Sequence, residues 1–359
     1  MWLHFSIIAF ILLVSALGNG KFKQDKLFDI SIFAVLFLIS ALRGTSVGND
    51  TGEYLRIFHL VSKQNSLSSA LSVSRYEPGY IIYNYVLAKF TSNFQWLLAI
   101  NAAVYLTAVL FFIRRYAINK GKAIILFFSF GLYYNVMNLQ RQCIATAIFL
   151  FAIPLLERKK YIKYAVMILA AASFHSMILI LISLIFIPKI DFSKKIEMLK
   201  WTFISTIFLV TLNYGITFIL QYFPYLSHYI TNSAYSVGGI RSASIAICLI
   251  RFLSVGVIIV VKGSFTSDSE YIRSDFFNKM VLLDCVISVA SIGFNMYDRI
   301  EKYVCIGFVV AISNALENMS ISNKWISYGL IFIASFAYLT ATLIYRPEWS
   351  GIFPYALFK

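Results

Sequence analysis

Apolar residues in this chain come in long blocks, separated by short stretches that hold most of the charge. The block "LFDISIFAVLFLISAL" closes at Leu42, and similar blocks recur along the sequence. Several approach the ~20 apolar residues that carry a helix across a bilayer. They lack the apolar–polar alternation of barrel strands, so the pattern predicts membrane helices. The expected spans are 2–18, 27–42, 94–113, 122–138, 142–156, 161–174, 176–188, 201–220, 243–261, 276–292, 303–317 and 326–344. The expected fold class is therefore all-α: one polytopic membrane domain over residues 1–359, with about twelve transmembrane helices. The stretch "YIKYAVMILAAASFHSMILILISLIFIPK" is too long for one ordinary helix. It divides at "SFHS", because basic residues flank both of its ends and so place both on one side. The segment "PGYIIYNYVLAKF" (78–90) is too short to cross, opens on a proline and contains Asn84. It predicts a re-entrant or interfacial helix inside an outer loop of about 43–92.

Composition agrees with the pattern. Of 359 residues 60% are hydrophobic and only 13% charged, which excludes an ordinary soluble domain of this size. The net charge of +15 does not point to nucleic acid. Its basic residues sit in short clusters between apolar blocks, as the positive-inside rule places them. The first block lacks a basic leader and a small-residue cleavage site, so it is read as the first helix and not as a signal peptide. The four cysteines show no metal-ligand spacing and read as small apolar residues, and no metal or cofactor is expected.

With these spans, 19 of the 31 Lys and Arg residues gather on one side, which is then cytoplasmic. Both termini face outward. The outer face then receives "RGTSVGNDTGEY", with Arg43, Asp50 and Glu53; "SRYEPGY", with Arg75 and Glu77; Arg141; His175; and "MYDRIEKY", with Arg299 and Glu301. Arginine suits phosphate, because its planar fork binds two oxygens and keeps its charge. Arg43, Arg75, Arg141 and Arg299 are candidates for neutralising a pyrophosphate at the membrane surface. The competing reading is that each simply anchors a helix end among lipid headgroups. Asp50, Glu77 and His175 are candidate bases toward a hydroxyl, ranked in the order Asp50, His175, Glu77. Asp50 follows Gly48 in a flexible turn. Glu77 stands before Pro78, where a role as helix cap competes with one as base. Tyr54, Tyr76, Tyr80 and Tyr297 are candidates for stacking on sugar rings. Arg251 and Asp284 fall within consecutive spans, and the cost of a lone buried charge predicts that they pair.

The sequence also resembles a known family. "RGTSVGNDTGEYLRIF" resembles the R-x-x-x-V-G-x-D-x-x-x-Y-x-x-x-F signature of EpsG-type proteins. "EPGYIIYNYV", "NLQRQCIATAIFLFAI", "LAAASFHSMILI", "YDRIEKYV" and "GIFPYAL" are similar to further elements of that family, in the same order. The matched positions are Arg43, Gly48, Asp50, Tyr54, Glu77, Pro78, Arg141, Gln142, His175, Arg299 and Tyr303. Asn49 departs from the small or hydroxyl residue usual before the aspartate, which puts the local turn in question. The resemblance implies a Wzy-like polymerase of O-antigen, capsule or exopolysaccharide, a multi-pass glycosyltransferase of the bacterial inner membrane. Its active site would face the periplasm. It would join undecaprenyl-pyrophosphate-linked oligosaccharides, release undecaprenyl pyrophosphate, and work with membrane lipid and a chain-length regulator. Gln142, Tyr54 and Tyr303 enter the candidate site through this resemblance. The rival readings are a flippase of the same lipids and a membrane polysaccharide ligase or acyltransferase.

Overall fold

A computed structural model describes residues 1–17, 26–191, scattered positions between 196 and 211, 242–262, 271–293, 296–317 and 319–358. The described residues form helices, turns and one isolated antiparallel bridge, and no strand occurs among them. Two compact units are distinguished, residues 1–185 with 336–359, and residues 186–335. By length and composition Gln95–Tyr116, Ser242–Val261 and Ile321–Tyr345 are able to cross a membrane, and Trp2–Ala16, Tyr161–Ala172 and Ser176–Ile185 are shorter apolar helices. The chain is thus an all-helical membrane protein. The span expected over 201–220 lies for the most part outside the described residues.

In the first unit, α1 (Trp2–Leu17) and α2 (Lys26–Ala41) lead to the loop that begins at Arg43. Beyond it stand α3 (Thr51–Ser62), the short α4 (Leu67–Leu71) and α5 (Pro78–Ala88). Tyr54, Ile57, Phe58 and Val61 of α3 recur at helical spacing and are all buried. They pack with Ala70 of α4 and with Tyr80 and Ile81 of α5. A fully buried side chain of this size contributes about 1.5–3 kcal/mol. A small layer of short helices is therefore held together, and the same core ties it to Leu97 and Leu98 of the helix Gln95–Tyr116 and to Ile144 of the helix Gln140–Glu157. Pro78 fixes the first turn of α5, as expected. Gly79 allows that turn to dock: a Cβ there would lie 2.2 Å from Ser173 Oγ.

The long α6 (Gln95–Tyr116) packs on α2 and on α9 (Gln140–Glu157). The span expected over 122–138 is instead broken. α7 (Lys120–Ser129) is followed by Gly131 (φ +74°), a 3-10 turn and the short α8 (Asn135–Asn138). Non-helical backbone at membrane depth survives only where protein surrounds it. Here Tyr133 and Met137 are fully buried, and the carbonyls of Val136 and Met137 accept from Arg43 and Thr51. The division at "SFHS" is also present. α10 (Tyr161–Ala172) stops there, and Ser176–Ile185 continues as 3-10 helix, folded back so that the Tyr164 hydroxyl donates to Leu181 O at 2.8 Å. The buried His4 secures α1 between the Tyr134 hydroxyl (2.8 Å) and Thr340 Oγ1 (3.1 Å).

In the second unit α11 (Ser242–Lys262), α12 (Tyr271–Ser291) and α13 (Met296–Glu317) pack together, and α14 (Ile321–Tyr345) begins there. Gly307 of α13 allows close contact with α12, since a Cβ would come within 2.6 Å of Met280 Cγ. The pairing expected of Arg251 and Asp284 is present, with Nε 2.8 Å from Oδ2. Glu301, expected on the outer face, is instead fully buried and binds the same guanidinium. One Arg thus holds two carboxylates.

Candidate functional site

The loop after α2 is shaped by two glycines and by the C-terminal segment. Gly48 has φ +93°, and a Cβ there would stand 2.1 Å from Met137 O. Only glycine fits that conformation and that space. Residues 348–358 run back across the loop as a strap. Gly44 N donates to Ala356 O (2.8 Å), Gly48 N to Gly351 O (2.8 Å) and Phe358 N to Leu42 O (2.8 Å). Asn49 settles the turn that its departure from the family pattern left in question. Its backbone N–H donates to Asn138 Oδ1 (2.7 Å) and its side chain to Glu348 O (2.6 Å), so the loop is tied on both flanks.

Beneath the strap, Arg43 is fully buried. Its guanidinium donates to Ser40 O and, at 3.4 Å, to Val136 O. Burial lowers its pKa to about 10, against the partial support of the Tyr133 and Tyr355 hydroxyls, and the group remains a cation at neutral pH. Asp50 is exposed at the head of α3, and its side chain makes no cap bond there. The ion pair of Arg56 with Glu53, at 2.6 Å, lies on the exposed face of α3.

Three separated stretches of sequence meet a short distance along. Arg141, at the start of α9, forms an ion pair with Glu77, and its guanidinium carbon stands over the Tyr76 ring, 3.7 Å from the centroid. Glu77 Oε1 also accepts from Ser176 N (2.9 Å) and Ser176 Oγ (3.2 Å). Its side chain therefore does not cap α5, whose N-terminus it precedes; it joins α9 to the turn after α10. Burial would raise the Glu77 carboxyl, but Arg141 and the Ser176 N–H together hold it below the usual carboxylate range. Burial also raises the Tyr76 hydroxyl's pKa, with Arg141 opposing. His175, adjacent to Ser176, is buried. Tyr54 lies within reach of Arg141, and burial raises its pKa. Beyond it Tyr54 and Tyr80 stack edge to face at 5.7 Å.

The motifs at 43–54, 77–80, 140–145 and 173–176 are thus drawn into one unit of structure. A match to the EpsG family model extends over residues 26–357. The chain belongs to the EpsG family. Members of the EpsG family are Wzy-like polysaccharide polymerases, which points to polysaccharide biosynthesis at a membrane as this chain's role. No curated protein and no solved structure matches it.

The remaining candidate residues are placed as follows. Arg75 is exposed on the loop before α5. Gln142 is buried one position beyond Arg141, and its carbonyl accepts from Thr146. Arg299 and Tyr303 lie on α13 in the second unit, Arg299 half-buried and Tyr303 fully buried. Tyr54, Tyr80 and Tyr297 are buried, which removes their ring faces from a sugar, whereas Tyr76 stays half-exposed. Ser176 had no signal beyond its place next to the histidine. In the second unit Asp284, Glu301 and Cys305 bring three metal-type ligands within 4.8 Å of one another. Arg251 already supplies the positive charge there, with Nη2 3.0 Å from Cys305 Sγ.

Proposed function

We propose that this EpsG-family chain polymerises undecaprenyl-pyrophosphate-linked oligosaccharide repeat units at the outer face of the bacterial inner membrane. The observation that carries the reading is the convergence of Glu77, Arg141 and the His175–Ser176 turn, three distant family-like motifs, on one assembly. In the reaction, an acceptor sugar hydroxyl attacks the anomeric carbon of the growing chain. The bond from that carbon to the pyrophosphate oxygen breaks, and undecaprenyl pyrophosphate departs with the electron pair. The acceptor's proton passes to a base. Arg141 offers a planar cation to the departing pyrophosphate. Tyr76 beneath and Glu77 beside it fix the plane of the guanidinium before substrate arrives. Arg43 and Arg75 add positive charge around the loop, and Gln142 joins them on the family motif.

Glu77 is engaged and acidified, so the base role falls to Asp50 first and His175 second. Asp50 is exposed where a substrate can reach it, whereas His175 is buried beside Glu77. A topology of about twelve spans with both termini outside places these groups on the outer surface, with α5 as the interfacial helix.

The test is complementation of a deletion strain. Arg141→Ala should lower polymerisation by ~10²–10³-fold, the cost of removing one donor to a developing anion, while membrane insertion stays intact. Lysine should substitute poorly, since a point charge lacks the fork. Single repeat units should accumulate on the lipid. Ordinary chain lengths in Arg141→Ala cells would overturn the reading. Absence of repeat units outside would favour a flippase, and long chains left on undecaprenyl a ligase.

A further inference from the structure

An open groove of about 380 Å³ lies between α2 and α6, toward the end of both helices opposite Arg43 and Gln95. Ile30, Phe33 and Ala34 line it from α2, and Leu110 and Phe111 from α6. The volume is that of a small-molecule site, and the lining runs along ~10 Å of helix. Its aromatic walls are held in place: Phe33 stacks on Phe37 at 5.5 Å, and Phe111 packs on Phe151 at 5.2 Å.

One end of the groove is charged. Asp29 accepts from Lys120 Nζ at 2.6 Å, and that lysine is 1% exposed. Arg114 approaches the same carboxylate only to 3.4 Å and keeps half of its side chain exposed. Two cations therefore meet one carboxylate, and the exposed cation is the loosely held one. Arg114 also stands in the last turn of α6, a helix of membrane length, where headgroups lie.

We infer that this groove seats an acyl chain of an anionic glycerophospholipid, with the lipid phosphate on Arg114. The surplus positive charge selects an anionic headgroup over a zwitterionic one. The apolar lining gives a free phosphate ion no contact, so the occupant is the lipid. The groove is distinct from the Arg141 assembly, and the inference does not depend on the polymerase reaction.

Native mass spectrometry of the purified full-length chain, with phosphatidylglycerol or phosphatidylcholine of the same acyl composition, tests it. The wild type should retain phosphatidylglycerol about fivefold better, the worth of one surface cation. Arg114→Gln should bring the two lipids to parity. Ala34→Phe, which fills the groove, should reduce retention of both. Equal retention of the two lipids by the wild type, or an unchanged preference in Arg114→Gln, would overturn the inference. Arg114 is half-exposed, so its arm decides even where Ala34→Phe disturbs the fold.

Discussion

At the scale of the residue, Glu77 carries the sharpest change of role. Its position before a proline suggested a helix cap or a base. Its side chain instead binds Arg141 and the Ser176 N–H, which is a link between α9 and the turn after α10. That link titrates. In the folded chain Glu77 binds its proton less readily than the usual 4.5. Its contribution to stability is therefore full above pH 4.5 and is lost as pH falls through the lowered folded value. Thermal unfolding in detergent should show a drop in midpoint below that pH, and Glu77→Gln should flatten it. At neutral pH Glu77→Gln should cost about 1.5–3 kcal/mol, the range for hydrogen bonds to a charged group. An identical pH profile in the variant would remove Glu77 from this role. Asp50→Asn should differ in kind, keeping stability and losing ~10²–10⁴ in turnover. Near wild-type turnover there, with an inactive His175→Ala, would move the base to the imidazole. Arg141 and Glu77 were legible as candidates because charges are scarce in so apolar a sequence. Their pairing was not legible, since 64 residues separate them and either one reads alone as a headgroup anchor.

At the scale of the element, composition located helices well and their internal breaks poorly. α5 is legible because Pro78 starts it and its length forbids crossing. The break at Gly131 is not, because its flanks are as apolar as any span and the satisfaction of its carbonyls comes from Arg43 and Thr51, far away in sequence. Likewise Glu301 looked like an outer charge beside Arg299, until the turn of α13 carried it inward to Arg251. The resulting cluster joins α11, α12 and α13 through one guanidinium. Removing one member of a buried ion cluster leaves uncompensated charge and costs about 3–5 kcal/mol. Arg251→Met alone should therefore sharply reduce the amount of folded protein in the membrane. The triple change Arg251→Met, Asp284→Leu, Glu301→Met removes all three charges and should recover most of it. Membrane yield and size-exclusion profiles would check both. A stable Arg251→Met single variant would show that the cluster is not holding the three helices.

At the scale of the whole molecule, the strap constrains topology in a way the sequence did not reveal. Asn49 N–H donates to Ser350 O at 3.2 Å and Gly48 N–H to Gly351 O at 2.8 Å, so the loop after α2 and the C-terminal segment lie together. They must share one side of the membrane. The chain therefore crosses an even number of times between residues 50 and 347. The ten spans expected from the sequence in that interval satisfy this condition; were the broken stretch 122–138 not to cross, one further crossing elsewhere in the interval would be required. The parity comes from hydrogen bonds and owes nothing to the lysine bias. The basic clusters then decide which side is which. All four native cysteines are buried, so single introduced thiols can be read against a quiet background. Ser46→Cys and Glu348→Cys, both at exposed positions, should react with an impermeant maleimide added outside intact cells. Lys160→Cys, exposed after α9 in a basic cluster, should react only after the membrane is opened. Labelling of Ser46 and Glu348 from opposite sides would contradict the strap itself. Labelling of both from the inside would keep the strap and invert the orientation, which would turn the Arg141 assembly away from lipid-linked sugars on the outer leaflet and remove the proposed reaction with it.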